Sequence, residues 1–132
     1  MLELSPEIKN KSILVVDDAP SMRSLLVAIL KSFGFTRIYE AGDGQQAQQL
    51  LKKKSVNLIF CDWEMPKKDG LQLFKDIQQE QDLKDIPFVL VTSMAEIDKV
   101  KTALGSGIEN YVVKPFKEDT LISKISAIFS DN

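Results

Sequence analysis

Four short apolar runs constrain this chain more than anything else in it: ILVV at 13–16, LIFC at 58–61, FVLV at 88–91 and YVV at 111–113. None alternates polar with apolar residues, and none is long enough for a buried helix. Unbroken apolar runs of this length fit strands buried on both faces, the situation of a parallel sheet covered by helices. A fifth, more polar run, RIYE at 37–40, fits an edge strand. Between the runs lie helical stripes. Residues 21–33 place Met22, Leu25, Leu26, Ile29, Leu30 and Phe33 on one broad face before Gly34. Residues 44–54, 71–79, 96–104 and 118–129 carry comparable stripes. The pattern strand–helix repeats five times and predicts an open, doubly wound α/β sheet of right-handed crossover units with five helices. Nothing rich in Gly, Pro or Ser divides it, so one domain over 1–132 is expected, with a motif-free leader at 1–10 that frays.

In such folds ligands bind beyond the carboxyl ends of the strands. Asp17 and Asp18 follow ILVV, Asp62 follows LIFC, Thr92 and Ser93 follow FVLV, and Lys114 and Pro115 follow YVV. Three acids, a hydroxyl and a lysine are thereby predicted at one edge of the sheet. Singly, each acid reads as a helix cap or a binder of backbone amides, Asp17 and Asp18 above all. Together, converging carboxylates repel one another and lose water unless a cation meets them. A hard divalent ion such as Mg²⁺ takes oxygen ligands and needs only one or two carboxylates besides water and a phosphoryl group. Asp17, Asp18 and Asp62 suit that role. Lys114 adds a positive charge and Thr92 a hydroxyl donor. A carboxylate in the middle of such a cup is itself a possible phosphoryl acceptor, and Asp62, on the central strand, is the candidate nucleophile.

Composition narrows the rest. The chain contains no histidine, which removes histidine general bases, Ser-His-Asp triads and the common zinc sites together. The single Cys61 cannot form an intrachain disulfide and reads as a small buried hydrophobe, at ease in a reducing compartment. A net charge of −2 gives no basic excess for nucleic acid. No window has the length of a membrane span and the start lacks a signal-peptide pattern, so a cytoplasmic protein is expected. Neither a Gly-x-Gly-x-x-Gly nor a Gly-Lys-Ser/Thr loop is present, which gives no indication of bound NAD or ATP.

The blocks "ILVVDDAPSMRSLL", "CDWEMPKKDGLQLF", "VLVTS" and "YVVKPF" resemble the signature segments of two-component receiver domains, and the likeness runs from about residue 10 to 130. It is greatest to the stand-alone chemotaxis regulators of that family. The resemblance implies a sheet of order 2-1-3-4-5, the order known for the family. It implies that Asp62 accepts a phosphoryl group from a histidine on a partner kinase. Asp18, Asp62 and the main-chain carbonyl of Glu64 would bind Mg²⁺, with Asp17 acting largely through water. Lys114 would contact the phosphoryl group across a cis bond to Pro115. Thr92 would move toward the phosphoryl oxygen and Tyr111 would swing inward behind it. Residues 95–129 would form the signalling surface, and a flagellar switch protein or a phosphatase the output partner of a monomer.

Other positions carry two readings. Trp63 is expected as a partly exposed packing residue. Met65 is expected to be structural, Pro66 and Gly70 to shape the loop, and Ser93 to leave room beside the metal. Glu64 and Met94 depart from the chemotaxis pattern, which has Asn and Glu there, so the self-dephosphorylation rate is expected to differ. Three rival functions remain: a phosphorelay intermediate or phosphate sink, a binding module that is never phosphorylated, and a magnesium phosphohydrolase, for which no general acid or substrate pocket is evident.

Overall fold

A computed structural model describes residues 4–93, 98, 105, 107, 108 and 110–130. Five parallel strands, β1 (Ser12–Val16), β2 (Arg37–Ala41), β3 (Leu58–Asp62), β4 (Phe88–Ser93) and β5 (Asn110–Lys114), form one sheet in the order β2-β1-β3-β4-β5. The helices described are α1 (Pro6–Lys9), α2 (Pro20–Ser32), α3 (Gly44–Lys53), α4 (Gly70–Gln78) and α5 (Glu118–Phe129). Met94 and, apart from the exposed, helical Asp98, the helix predicted at 96–104 lie outside the described residues.

The apolar runs are strands because both their faces are covered. Every residue of β1 and β3 is buried, whereas β2, at the edge, buries only Ala41. Alternate residues serve different cores. Ile13, Val15, Leu58, Phe60, Val89, Val91 and Val112 pack with Leu26, Val27 and Leu30 of α2 and Leu121, Ile122 and Ile125 of α5. Leu14, Val16, Ile59, Cys61 and Leu90 face Ala47 and Leu51 of α3 and Leu73, Phe74 and Ile77 of α4. Phe60 is wholly buried, and its truncation to Ala is expected to cost about 3–5 kcal/mol.

Gly34 ends α2 as the stripe implied. Its φ is 104°, its amide donates to the Lys31 carbonyl at 3.0 Å, and the Phe35 amide reaches back to Leu30 at 3.2 Å. These are the two bonds of a left-handed helix stop, a backbone state open to Gly without steric cost.

The leader departs from expectation. Ser5 caps a single helical turn, its hydroxyl accepting from the Ile8 amide at 3.2 Å, with Pro6 at the first helical position. Leu4 is buried against the core beneath α2 and α5. The sequence signal was present as Ser-Pro-Glu, a capping residue before an N-terminal proline.

Candidate functional site

Strand register explains which side chains meet. In parallel pairing, partners point to the same face. Phe60 pairs with Val15 and Asp62 with Val91, while Ser93 pairs with Lys114. Asp17, Asp62 and Lys114 therefore continue the parity of the α2/α5 face from three strands. The ammonium of Lys114 stands 3.0 Å from Asp62 Oδ1 and 3.7 Å from Asp17 Oδ2. Asp18 is exposed at the rim, and one carboxylate oxygen from each of Asp17, Asp18 and Asp62 falls within 4.8 Å of the others.

The electrostatics are unbalanced. Asp17 and Asp62 are buried, and one lysine faces three carboxylates. Burial pushes the Asp62 carboxyl up to about 6; Lys114 pulls it down, but the charges of Asp17 and Asp18 push it up again. Lys114 shows the converse. Burial works against its charge, yet the hydrogen bond and charge of Asp62, helped by Asp17, raise its pKa above the ordinary lysine value. The ammonium is thus held charged while Asp62 is left poorly neutralised. A divalent cation fits this set: all donors are oxygens, they converge, and the lysine does not balance them.

The surrounding residues fix the cup. Asp17 Oδ1 accepts from the Ala19 amide at 2.9 Å, an Asx turn ahead of α2 and not a cap of it, since the N-cap Ala19 has no side-chain cap bond; the same side chain thus binds a backbone amide and belongs to the cluster. The Asp17 amide donates to Ala41 O at 3.1 Å, and the Asp17 carbonyl accepts from Arg23 Nη1 at 2.6 Å. Behind Asp62, the Trp63 amide continues the ladder to Val91 O at 2.9 Å, and the Gly70 amide closes the loop onto Trp63 O at 2.8 Å. Asp69 caps α4 by accepting from the Gln72 amide at 2.8 Å. A Cβ on Gly70 would stand 2.5 Å from the Asp62 carbonyl, so this close approach requires glycine.

Trp63 corrects the expectation of partial exposure. It is buried, because it keeps the strand alternation for one more residue and falls into the α3/α4 core. Met65 is half-buried against the same core, as a structural residue should be. Glu64 and Pro66 are exposed and line an open cleft with Asp18, Trp63, Met65 and Asp69. Thr92 is buried, with its hydroxyl 3.4 Å from the Ser93 carbonyl, while Ser93 is half-buried at the end of β4. Leu90 pairs with Tyr111 and Thr92 with Val113, so Thr92 and Tyr111 share the α3/α4 face, opposite to Asp62. Tyr111 is half-buried, with the Lys124 ammonium 6.0 Å from its ring centroid. The bond between Lys114 and Pro115 is cis, as the resemblance implied. Cys61 is buried and its thiol is pushed well above the usual range, first by burial and then by Asp62, which leaves it no part as a nucleophile.

A family model described as the response regulator receiver domain matches residues 13–126. The chain belongs to that family. Among curated proteins, chemotaxis protein CheY-3 of Vibrio cholerae is 37% identical over 121 residues, covering 92% of this chain and 93% of that one. Among solved structures, a putative response regulator from Chloroflexus aurantiacus superposes with a TM-score of 0.84 at 26% identity, over 90% of this chain and 97% of the other. The receiver domain of a sensor histidine kinase from Pseudomonas aeruginosa, solved with a magnesium ion coordinated in the active site cleft, gives 0.81 at 26% identity, over 89% and 96%. The receiver fold thus carries, at its expected edge, an acidic cluster able to hold a metal. No described helix is long and apolar enough to cross a membrane.

Proposed function

We propose that this receiver domain is a phosphorylation-activated response regulator in which Asp62 accepts a phosphoryl group from a histidine of a partner kinase. The observation that carries this reading is the Asp62 carboxylate set among Asp17, Asp18 and Lys114 at the end of the central strand. Asp62 attacks phosphorus in line, the phosphorus–nitrogen bond of the donor breaks, and the imidazole leaves with the bonding pair. Asp17, Asp18, Asp62 and the Glu64 main-chain carbonyl are the residues that would hold Mg²⁺, which supplies neutralisation of the phosphoryl oxygens. Lys114 exchanges part of its contact with Asp62 for a phosphoryl oxygen, keeping its charge where negative charge gathers. With no histidine among these 132 residues, the donor histidine lies outside this domain.

The output is binding. The new phosphoryl oxygens attract the Thr92 hydroxyl, and Tyr111, on the same sheet face, follows it inward. The surface expected to change, residues 95–129, includes β5 and α5 among the described residues, and a partner that prefers the altered state draws the population toward it. Likeness along nearly the whole length of chemotaxis proteins supports motor control as the destination, through a flagellar switch protein. Likeness to receiver domains of sensor kinases supports a second destination, a relay step or phosphate sink. The chemistry is tested by incubating the protein with acetyl phosphate and Mg²⁺ and reading intact mass. One phosphoryl group on the wild type and none on Asp62→Asn is the expected result. No adduct, or an adduct on another residue, overturns the reading. Pull-downs with and without a phosphoryl mimic then separate a motor partner from a phosphotransfer protein.

A further inference from the structure

Asp17 is fixed at nearly every polar atom. Its amide is bound to Ala41, its carbonyl to Arg23 and its Oδ1 to the Ala19 amide, so Oδ2 is the atom aimed at Lys114 and the cluster. The carbonyl bond matters most, because that carbonyl belongs to the rigid peptide joining Asp17 to Asp18. Asp18 is exposed, and its backbone is flanked by the Asp17 carbonyl bound to Arg23 and the Ala19 amide bound to Asp17 Oδ1. The direction of both carboxylates therefore depends on how the 17–18 peptide is set.

Arg23 sits in the first turn of α2, its side chain about four-fifths covered. Its guanidinium spans two elements. Nη1 donates to the Asp17 carbonyl at 2.6 Å and Nε to Glu40 Oε1 of β2 at 3.2 Å. A planar fork with diverging donors makes both bonds at once in one fixed geometry, which the rotatable donors of an ammonium on a flexible stem do not fix. The turn after β2 closes around the same group: Gly42, whose amide donates to Gln46 Oε1 at 2.8 Å, has no side chain, and a Cβ there would lie 3.6 Å from Nη1. A full positive charge so close to a cation site would weaken metal binding by repulsion. Glu40 cancels that charge and leaves the geometry.

We propose that Arg23, neutralised by Glu40, is the positioning residue that sets the Asp17–Asp18 peptide for the metal. This rests on the reading of the acid cluster as a Mg²⁺ site. The sign of the effect tests it. By charge alone, Arg23→Gln should tighten Mg²⁺ binding, because a cation is removed. By positioning, it should weaken binding, on the order of tenfold as for other partners that orient metal ligands. Calorimetric titration of the full chain with MgCl₂ reads this directly. Arg23→Lys, which keeps the charge and one donor but not the fork, is expected to fall between Arg23→Gln and wild type. The melting temperature in chelator is expected to fall by only about 3–6 °C in both variants, since the pair with the exposed Glu40 contributes little and the lost carbonyl bond counts as a single hydrogen bond. Arg23→Gln binding Mg²⁺ as tightly as wild type, or more tightly, overturns the proposal. So does a loss of affinity with a melting temperature in chelator lowered by much more than that, which assigns Arg23 to the fold alone. Asp17→Asn distinguishes the underlying reading: if it and wild type bind Mg²⁺ equally, or neither binds, the acid cluster is not the metal site and both readings fall.

Discussion

The Lys114 ammonium stands 3.0 Å from Asp62 Oδ1, joining β5 to β3 across the end of β4. The two residues are 52 positions apart in sequence, and the bond forms because register gives both side chains the same face of the sheet. It does not relieve Asp62, whose carboxyl remains up near 6 with Asp17 and Asp18 beside it. A site whose single lysine fails to offset its acids is prepared for a further cation rather than optimised for stability.

This imbalance makes stability depend on pH with a definite sign. The folded pKa of Asp62 lies above the ordinary 3.8, so its favourable contribution is full below about pH 4 and is lost as pH rises through about 6. In chelator, Asp62→Asn is therefore expected to be more stable than wild type at pH 7.5, by about 1 kcal/mol once solvent screening is allowed for. The advantage should shrink toward pH 4.5. Urea unfolding at the two pH values checks it, and a difference that does not vary with pH counts against the prediction.

Lys114→Met separates binding from transfer. Removing the ammonium that competes with a metal for Asp62 and Asp17 is expected to raise Mg²⁺ affinity several-fold. Loss of the same charge from the phosphoryl oxygens is expected to slow phosphorylation by about a hundredfold. Stopped-flow phosphorylation with a small donor, set beside calorimetry, reads both. Effects of the same sign would show that the lysine serves only to hold the site together.

Glu64 places an exposed carboxylate at the mouth of the cleft near Asp18 and Asp69. Anionic donors must pass it, so Glu64→Asn is expected to speed phosphorylation by acetyl phosphate about threefold at low ionic strength, with the gain fading as salt rises. The decay rate of the phosphorylated protein is expected to change as well. Identical decay in both proteins would remove Glu64 from the hydrolytic step.

Gly70→Ala tests the loop behind the acceptor. The added methyl group would sit 2.5 Å from the Asp62 carbonyl and 3.0 Å from Leu90 Cδ1, both in the packed interior. A loss of about 2–3 kcal/mol in unfolding free energy is expected, with weaker Mg²⁺ binding as Asp62 is displaced. Wild-type values for both would mean that the loop yields at no cost.

Much of this was legible locally. Apolar runs without alternation specify strands buried on both faces whatever their neighbours are, because each residue must leave water on its own account. The strand ends therefore named Asp17, Asp18, Asp62, Thr92 and Lys114 before any fold was known. Gly34 and the Ser-Pro start of α1 are equally local, since capping is decided within a turn of helix. The sequence alone thus determined the five strands, the helices α2 to α5 and the residue types available at one edge of the sheet, while α1 stands where a fraying leader is expected.

The tertiary structure decided which of these groups touch. That Lys114 reaches Asp62 and Asp17, while Thr92 and Tyr111 occupy the other face, follows from strand order and register, for which adjacent residues carry no signal. Trp63 is buried because α3 and α4 lie over the face it turns to, and Arg23 reaches Glu40 because the edge strand lies beside β1. Each is a relation between segments that are distant along the chain. Burial and charge pairing depend on the surface that arrives opposite a side chain, and only the folded sheet brings that surface into place.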